Sequence, residues 1–219
     1  MKDAVNFVVF FLFLYSCNSP YEKETVEVRW WTNTDKQLII SELKRTTAEL
    51  KKEIDGLTDA QWNFKEDDTR WSIAEIVEHL EMQNQLHYRE ISVTVNGPRM
   101  LELRQITRGK DDYFSKYATD ATKGIAQWYL EPLGRFCSQQ EGKKAFFRAR
   151  GELTKFVEQT DIDLRKQFTY RTPVDGKSIE DLKIGQVRDL HQLLLTGIAH
   201  TDRHLTQIRV IKKDTNYPN

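Results

Sequence analysis

The stretch LLLTGIAHTDRHLTQIRVI, residues 193–211, holds two of the chain's five histidines, four positions apart, inside an apolar periodic run. At about 100° per residue, Leu193, Gly197, His200, His204, Ile208 and Ile211 fall in one band. Their alternating spacing is the inward seam of a bundle helix, and both histidines interrupt it on the interior side. His191 projects from roughly the opposite side. The pattern predicts a helix from about Ile184 to Lys212.

Three further helices have the same character. The first starts near Thr34 or Asp35, either a suitable cap, and turns Ile40, Leu43, Thr47, Leu50, Ile54 and Leu57 inward. The second opens in RWSIAEIVEHL, where Ser72 followed by Glu75 is a capping box, and Gly97-Pro98 stops it near Asn96. The third reads KKAFFRARGELTKFVEQT, with Phe146, Ala149, Leu153, Phe156 and Thr160 along one side. Residues 98–140 have no long period, and short helices are expected around Tyr113 to Tyr117 and Ile125 to Leu130. FTYRTPVDGKS reads as an extended connection with a turn at Asp175-Gly176. The fold class is therefore all-α: a four-helix bundle with a long irregular connection between the second and third helices.

Composition narrows the function. The 33 basic and 33 acidic residues cancel and are interspersed, so nothing steers the chain toward nucleic acid. A hydrophobic content of 39% excludes a multi-span membrane protein. The start, MKDAVNFVVFFLFLYSCNSP, has an apolar run from Phe7 to Tyr15 that is too short for a bilayer span but suits the core of a secretory signal. Leu14-Tyr15-Ser16-Cys17 resembles a lipoprotein box, in which Cys17 is the lipid attachment site and the new N-terminus. An ordinary cleaved signal, giving a periplasmic or secreted protein, or an uncleaved anchor, with Cys17 incidental, is the alternative. The expected organisation is a signal peptide over 1–16, a tether over 17–33, the bundle over 34–213 and a tail over 214–219. Trp30 and Trp31 are expected to pack on the first helix. After processing only Cys137 remains, which excludes an intrachain disulfide and suits a small buried residue.

The inward histidines need a chemical reason. On the second helix Ile76, His79, Met82 and Leu86 lie together, so His79 also points inward, whereas His87 lies about 80° around. A buried imidazole with an unpaired nitrogen costs about 1–3 kcal/mol. Three on converging faces, two of them at i and i+4, are better explained by metal coordination than by three separate hydrogen bonds. Nitrogen donors suit zinc, nickel, copper or iron rather than calcium or magnesium. Three protein ligands leave a coordination position open for water or substrate. Gly197, one turn before His200, either leaves room above the metal or permits close helix packing.

These segments resemble the DinB-like (YfiT-like) metal-dependent hydrolase superfamily over about residues 35–213. The resemblance rests on LTDAQWNFKEDDTRWSIAEIVEHLEM, on EPLGRF leading into AFFRARGELTKFVEQTD, and on GIAHTDRHLTQI. It implies a four-helix bundle with a divalent metal, zinc or nickel first, held by His79, in the context Trp71, Ser72, Glu75, and by His200 and His204. It places Gln207 behind an imidazole or a bound water, with a solvent-facing side chain as the alternative, and it implies pairing as a homodimer. The activities implied are hydrolysis or thiol transfer on a small-molecule substrate. The lipoprotein-like start departs from cytoplasmic relatives and places this chain in the cell envelope, anchored to the membrane. Glu75 is the one acidic residue near the expected centre and so the candidate general base, against its capping role. Asp202 points away from the seam. A non-catalytic metal- or ligand-binding envelope protein is the competing reading.

Overall fold

The computed structural model describes residues 28–119, 126–170 and 182–218. Cys17, the signal and most of the tether, Ile125 and the Asp175-Gly176 turn lie outside them. Four long helices form the body: α1 (Asn33–Ile54), α3 (Ile73–Thr94), α6 (Gln139–Gln159) and α7 (Leu190–Ile211). Three short ones decorate the connections: α2 (Asp59–Asn63), α4 (Arg104–Thr107) and α5 (Asp111–Thr119). Strands β1 (Phe168–Tyr170) and β2 (Val187–Asp189) pair antiparallel, with Phe168 opposite Asp189.

Capping chemistry sets the helix starts. Thr32, not Thr34 or Asp35, caps α1; Asp35 sits at the third helical position and returns its carboxylate to the Thr32 backbone. Ser72 and Glu75 close the expected capping box on α3. Ser138 caps α6. The last helix begins at Leu190, six residues later than the periodicity suggests. Residues 184–189 form a turn and then β2 instead, because Gly185 turns at φ +90° and Asp189 caps α7 by accepting from the Gln192 N–H.

Helix directions follow from which ends meet. Trp31 meets His191 while Glu53 meets Arg209, so α1 and α7 run parallel. Phe146 packs with Ile73 and Ile76 at one end, and Leu153 with Ile91 at the other, so α3 and α6 are also parallel. The two pairs are mutually antiparallel. A parallel α3–α6 pair requires a connection that travels the full length of the bundle.

Among the described residues the bundle interior has two large apolar clusters, and a small third, Leu103, Phe168, Leu182 and Val187, lies by the strands. Of the two large ones, one gathers Trp31, Ile39, Leu43, Ile91, Leu153, Val157, Leu193 and Ile198; the other gathers Leu50, Ile54, Trp62, Ile76, Leu80, Phe146, Leu205 and Ile208. Between them every long helix contributes buried polar groups: Thr46, then Asn84 and His87, then Arg150, then Thr201. Arg150 donates to Thr46 Oγ1 at 3.3 Å and Thr201 Oγ1 at 2.7 Å, and burial lowers its pKa to about 10. Thr46 is the buried threonine of α1 and Thr47 only half-buried, a shift of one position from the expected seam. Trp31 is fully buried against the bundle as expected, while Trp30 lies between the cations of Arg104 and Lys166. Cys137 is exposed rather than buried, since it precedes the α6 cap on the outside of the crossover. No helix among the described residues is long and apolar enough to cross a membrane.

Candidate metal centre

His79 enters this polar level from the second turn of α3, and His200 and His204 enter it from α7. The Nε2 atoms of His79 and His200 are 2.8 Å apart, and those of His204 and His200 are 3.0 Å apart. One ligand atom from each of the three residues lies within 4.8 Å of the others. Two nitrogens about 2.0–2.1 Å from one cation can be at most about 4 Å apart, so both short separations suit a shared ion.

The outer ring nitrogens fix the tautomers. His79 Nδ1 lies 2.7 Å from the Leu130 carbonyl oxygen, and His204 Nδ1 lies 2.9 Å from Gln207 Oε1. Both partners only accept, so both Nδ1 atoms carry the proton. The Nε2 lone pairs of His79 and His204 are thereby both aimed at His200 Nε2, which holds at most one proton to share between them, while Arg203 Nη2 also reaches His204 Nε2 at 3.3 Å. A cation resolves that conflict, and the oriented Nδ1–H groups are what metal-binding imidazoles ordinarily show. The donor set fits a transition metal and not calcium or magnesium. Burial depresses all three basicities: His79 below the ordinary histidine value, His200 well below it and His204 to about 3. The rings are neutral at pH 7 and hence competent ligands.

The surroundings hold the rings rather than react. Trp71 lies nearly parallel to the His204 ring, at 6.1 Å and 14°, and 4.9 Å from the His79 ring. Gln207 Oε1 accepts from the outer nitrogen of His204. Glu75 is not turned to the centre: Oε2 accepts the Ser72 backbone N–H at 2.7 Å and Oε1 pairs with Lys65 at 3.0 Å. Its capping role is the one the structure shows. Asp202 points away as expected and takes both ends of the Arg45 guanidinium.

Several residues of the site carry no periodic signal. Buried Glu78 accepts the backbone N–H groups of Leu133, Gly134 and Arg135, and Arg135 bridges Glu78 and Glu81 at 3.0 and 2.7 Å. This clamp fastens the crossover to α3 and sets the Leu130 carbonyl on His79. A Glu–x–x–Glu pair inside an apolar helix, with an arginine in EPLGRF, was the available clue. His87 is buried and does not join the three rings; burial lowers its pKa to about 3. A Cβ on Gly197 would sit 2.8 Å from His87 Nδ1, so Gly197 serves close packing of that ring onto α7. His191 is buried at the far end, accepting from Trp31 Nε1 at 3.2 Å.

The sequence model of the DinB superfamily matches residues 42–208, most of the chain. Among solved structures the chain is similar to YfiT from Bacillus subtilis, described as a probable metal-dependent hydrolase with an unusual four-helix bundle topology. The TM-score is 0.54 at 16% identity, covering 85% of this chain and 91% of that one, a likeness of fold. No curated protein matches. Capped helices, the parallel pairing and the extent of the sequence match thus lead to one assignment: the chain belongs to the DinB superfamily.

Proposed function

We propose that the chain is a metal-dependent enzyme of the hydrolase or thiol-transferase type, with His79, His200 and His204 as the ligands of one divalent transition metal, zinc or nickel first. The observation that carries this reading is the convergence of the Nε2 atoms of His79 and His204 on that of His200, with the outer nitrogens of His79 and His204 already bonded. A metal held there supplies Lewis acidity and a lowered pKa for a bound water or thiol. The protein's own part is positional. Leu130 and Gln207 lock the imidazole orientations, Trp71 walls the rings, and the Glu78–Arg135 clamp holds the crossover beside them. Three protein ligands leave a position for a small-molecule substrate.

The competing reading, a non-catalytic metal- or ligand-binding protein, is favoured by one feature: Glu75, the acidic candidate for proton transfer, is held in its cap. Metal analysis of protein purified without a histidine tag tests the shared premise. About one transition metal per chain is expected for wild type, and none for His200→Ala. A subsequent screen of esters, amides and thiol adducts divides the two readings, because no turnover of any class favours the binding protein. Cell-envelope placement through a lipid on Cys17 is part of the same proposal. Membrane fractionation of Cys17→Ala is expected to release the protein, and unchanged association would refute the anchor.

A further inference from the structure

We infer that Gln83 and His87 form a ligand-binding track leading away from the metal along α3, which makes the molecule at the open position a small, uncharged chain bearing amide or hydroxyl groups. This inference rests on the metal-centre reading above and adds the substrate class. His79, Gln83 and His87 stand at i, i+4 and i+8 on α3. Each step drifts by about 40° and climbs about 6 Å, so the three form one gently turning line. Gln83 and His87 are 8% and 5% exposed, yet among the described residues neither side chain has a hydrogen-bond partner. Their neighbours do: Asn84 donates to the Leu80 carbonyl and Gln85 to Glu81. Buried polar side chains are nearly always paired, so two unpaired ones in line with a metal ligand call for a partner from outside the chain.

The ground beside this line is open. The sealed polar atoms without a partner among the described residues are Thr107 Oγ1, Arg150 Nε, Gln167 Oε1 and Tyr217 Oη. The Gln83 amide is not among them, so it faces space that water reaches. Met82 and Leu86 on α3 are half-buried, as are Gly197 and His200 on α7. A Cβ on Gly197 would meet the Nδ1–Cε1 edge of His87 at 2.8 and 3.0 Å and, its chain neighbours apart, no other side chain within 4 Å. Gly197 precedes His200 by three residues, about 4.5 Å of helical rise, so this space adjoins the metal. The chemistry of the two side chains then selects the ligand. A glutamine amide and a neutral imidazole each offer a donor and an acceptor and carry no charge, which matches amides and hydroxyls rather than ions. Met82 and Leu86 suit the methylene groups between them.

The test uses the full chain loaded with Co2+, whose thiolate absorption reports binding of three thiols. These are 1-pentanethiol, N-acetylcysteamine, which puts one amide in a chain of that length, and N-acetyl-β-alanylcysteamine, which adds a second amide further out. Wild type, Gln83→Leu and His87→Leu are compared after cobalt content and metal-free melting temperature have been measured for each. Gln83→Leu is expected to bind N-acetylcysteamine about five- to tenfold more weakly than wild type does. His87→Leu should spare that probe and weaken the two-amide probe by a similar factor. Pentanethiol should bind both variants no more weakly than wild type. Each substitution removes a buried unpaired polar group, so neither melting temperature should fall. Unchanged affinity for the amide probes in the variants overturns the track, as does loaded wild type that binds none of the thiols. Equal weakening of all three probes, or a lower melting temperature, overturns it too, because either marks a structural role. Wild type that takes up no cobalt removes the metal centre itself and this inference with it. That outcome is read before any thiol is added, so the two failures are distinct.

Discussion

Helix α7 carries buried histidines at both ends of its buried face, and the two ends treat them oppositely. At its start, His191 accepts from Trp31 Nε1, while its Nε2 lies 3.9 Å from Asp35 and 3.8 Å from Asp111. Arg165 pairs with both of those carboxylates. The ring is an ordinary buried polar group: Nδ1 has a protein donor and Nε2 faces two carboxylates just beyond hydrogen-bond distance. Near the other end, His200 and His204 have no such carboxylates; their inner nitrogens face each other and His79. Burial alone therefore says nothing about function. What separates a packing histidine from a candidate ligand is whether its second nitrogen is directed to a protein partner or to another imidazole.

The largest effect that can break this contrast is chelation. At metal about a thousandfold above its dissociation constant, binding stabilises the native state by roughly 4 kcal/mol. Adding a chelator is expected to lower the melting temperature of wild type and of His191→Ala, and to leave that of His200→Ala unmoved. A chelator shift retained by His200→Ala would erase the distinction between the two ends. Next, His191→Ala should retain metal yet lose about 1–3 kcal/mol in denaturant melts, because the Trp31 N–H is left buried without an acceptor.

Removing Gln207 sharpens the comparison from the metal side. Gln207→Ala is expected to weaken metal affinity by about 10–100-fold with little change in the melting temperature of the metal-free form, read by competition with a chromogenic chelator. The smallest effect is in pH. Burial, then Arg165, holds the folded pKa of His191 at about 4, against 6.5 for an ordinary histidine. The unfolded chain takes up a proton that the folded chain refuses, so stability is intact above pH 6.5 and falls as pH drops toward 4. His191→Gln should make that decline shallower in thermal melts between those limits without removing it, because His79, His87, His200 and His204 are lowered by burial too and act with the same sign. Asp35, held down to about 2, acts at lower pH, where stability is lost as its carboxylate protonates. Asp189, raised to about 7 mainly by burial, acts with the opposite sign but equally in both proteins. An unchanged slope would mean that His191 is not the buried neutral ring described.

Much of this was legible in the amino-acid order because helical period is a local property. The i, i+4 histidines of α7 and the enclosed His79 of α3 could be set facing the interior from spacing, and Ser72 with Glu75 marked a helix start. What depends on approach between distant segments was not. Glu78 and Glu81 look like solvent-facing charges until the crossover returns Arg135 to them. The Leu130 carbonyl that orients His79 is a backbone group, which no residue type announces. His87 lies away from His79 on a helical projection, yet Gly197 on another helix makes room for it. The start of α7 was misplaced because Ile184 and Val187 continue the apolar rhythm while belonging to extended chain. A three-residue strand pairing and a helix turn can share such a rhythm over so few positions.

The belt of polar groups across the middle of the bundle has a consequence for how the helices are aligned along their length. Sliding one helix past its neighbours by a single turn, about 5.4 Å, would drag the Arg150 guanidinium off the Thr46 and Thr201 hydroxyls and into hydrocarbon. Uniform apolar faces tolerate such slippage; a lone cation seated on two hydroxyls from different helices does not. The belt thus acts as a vernier, setting the height of α7 relative to α1 and α6, so that the imidazoles stand level before any ion arrives.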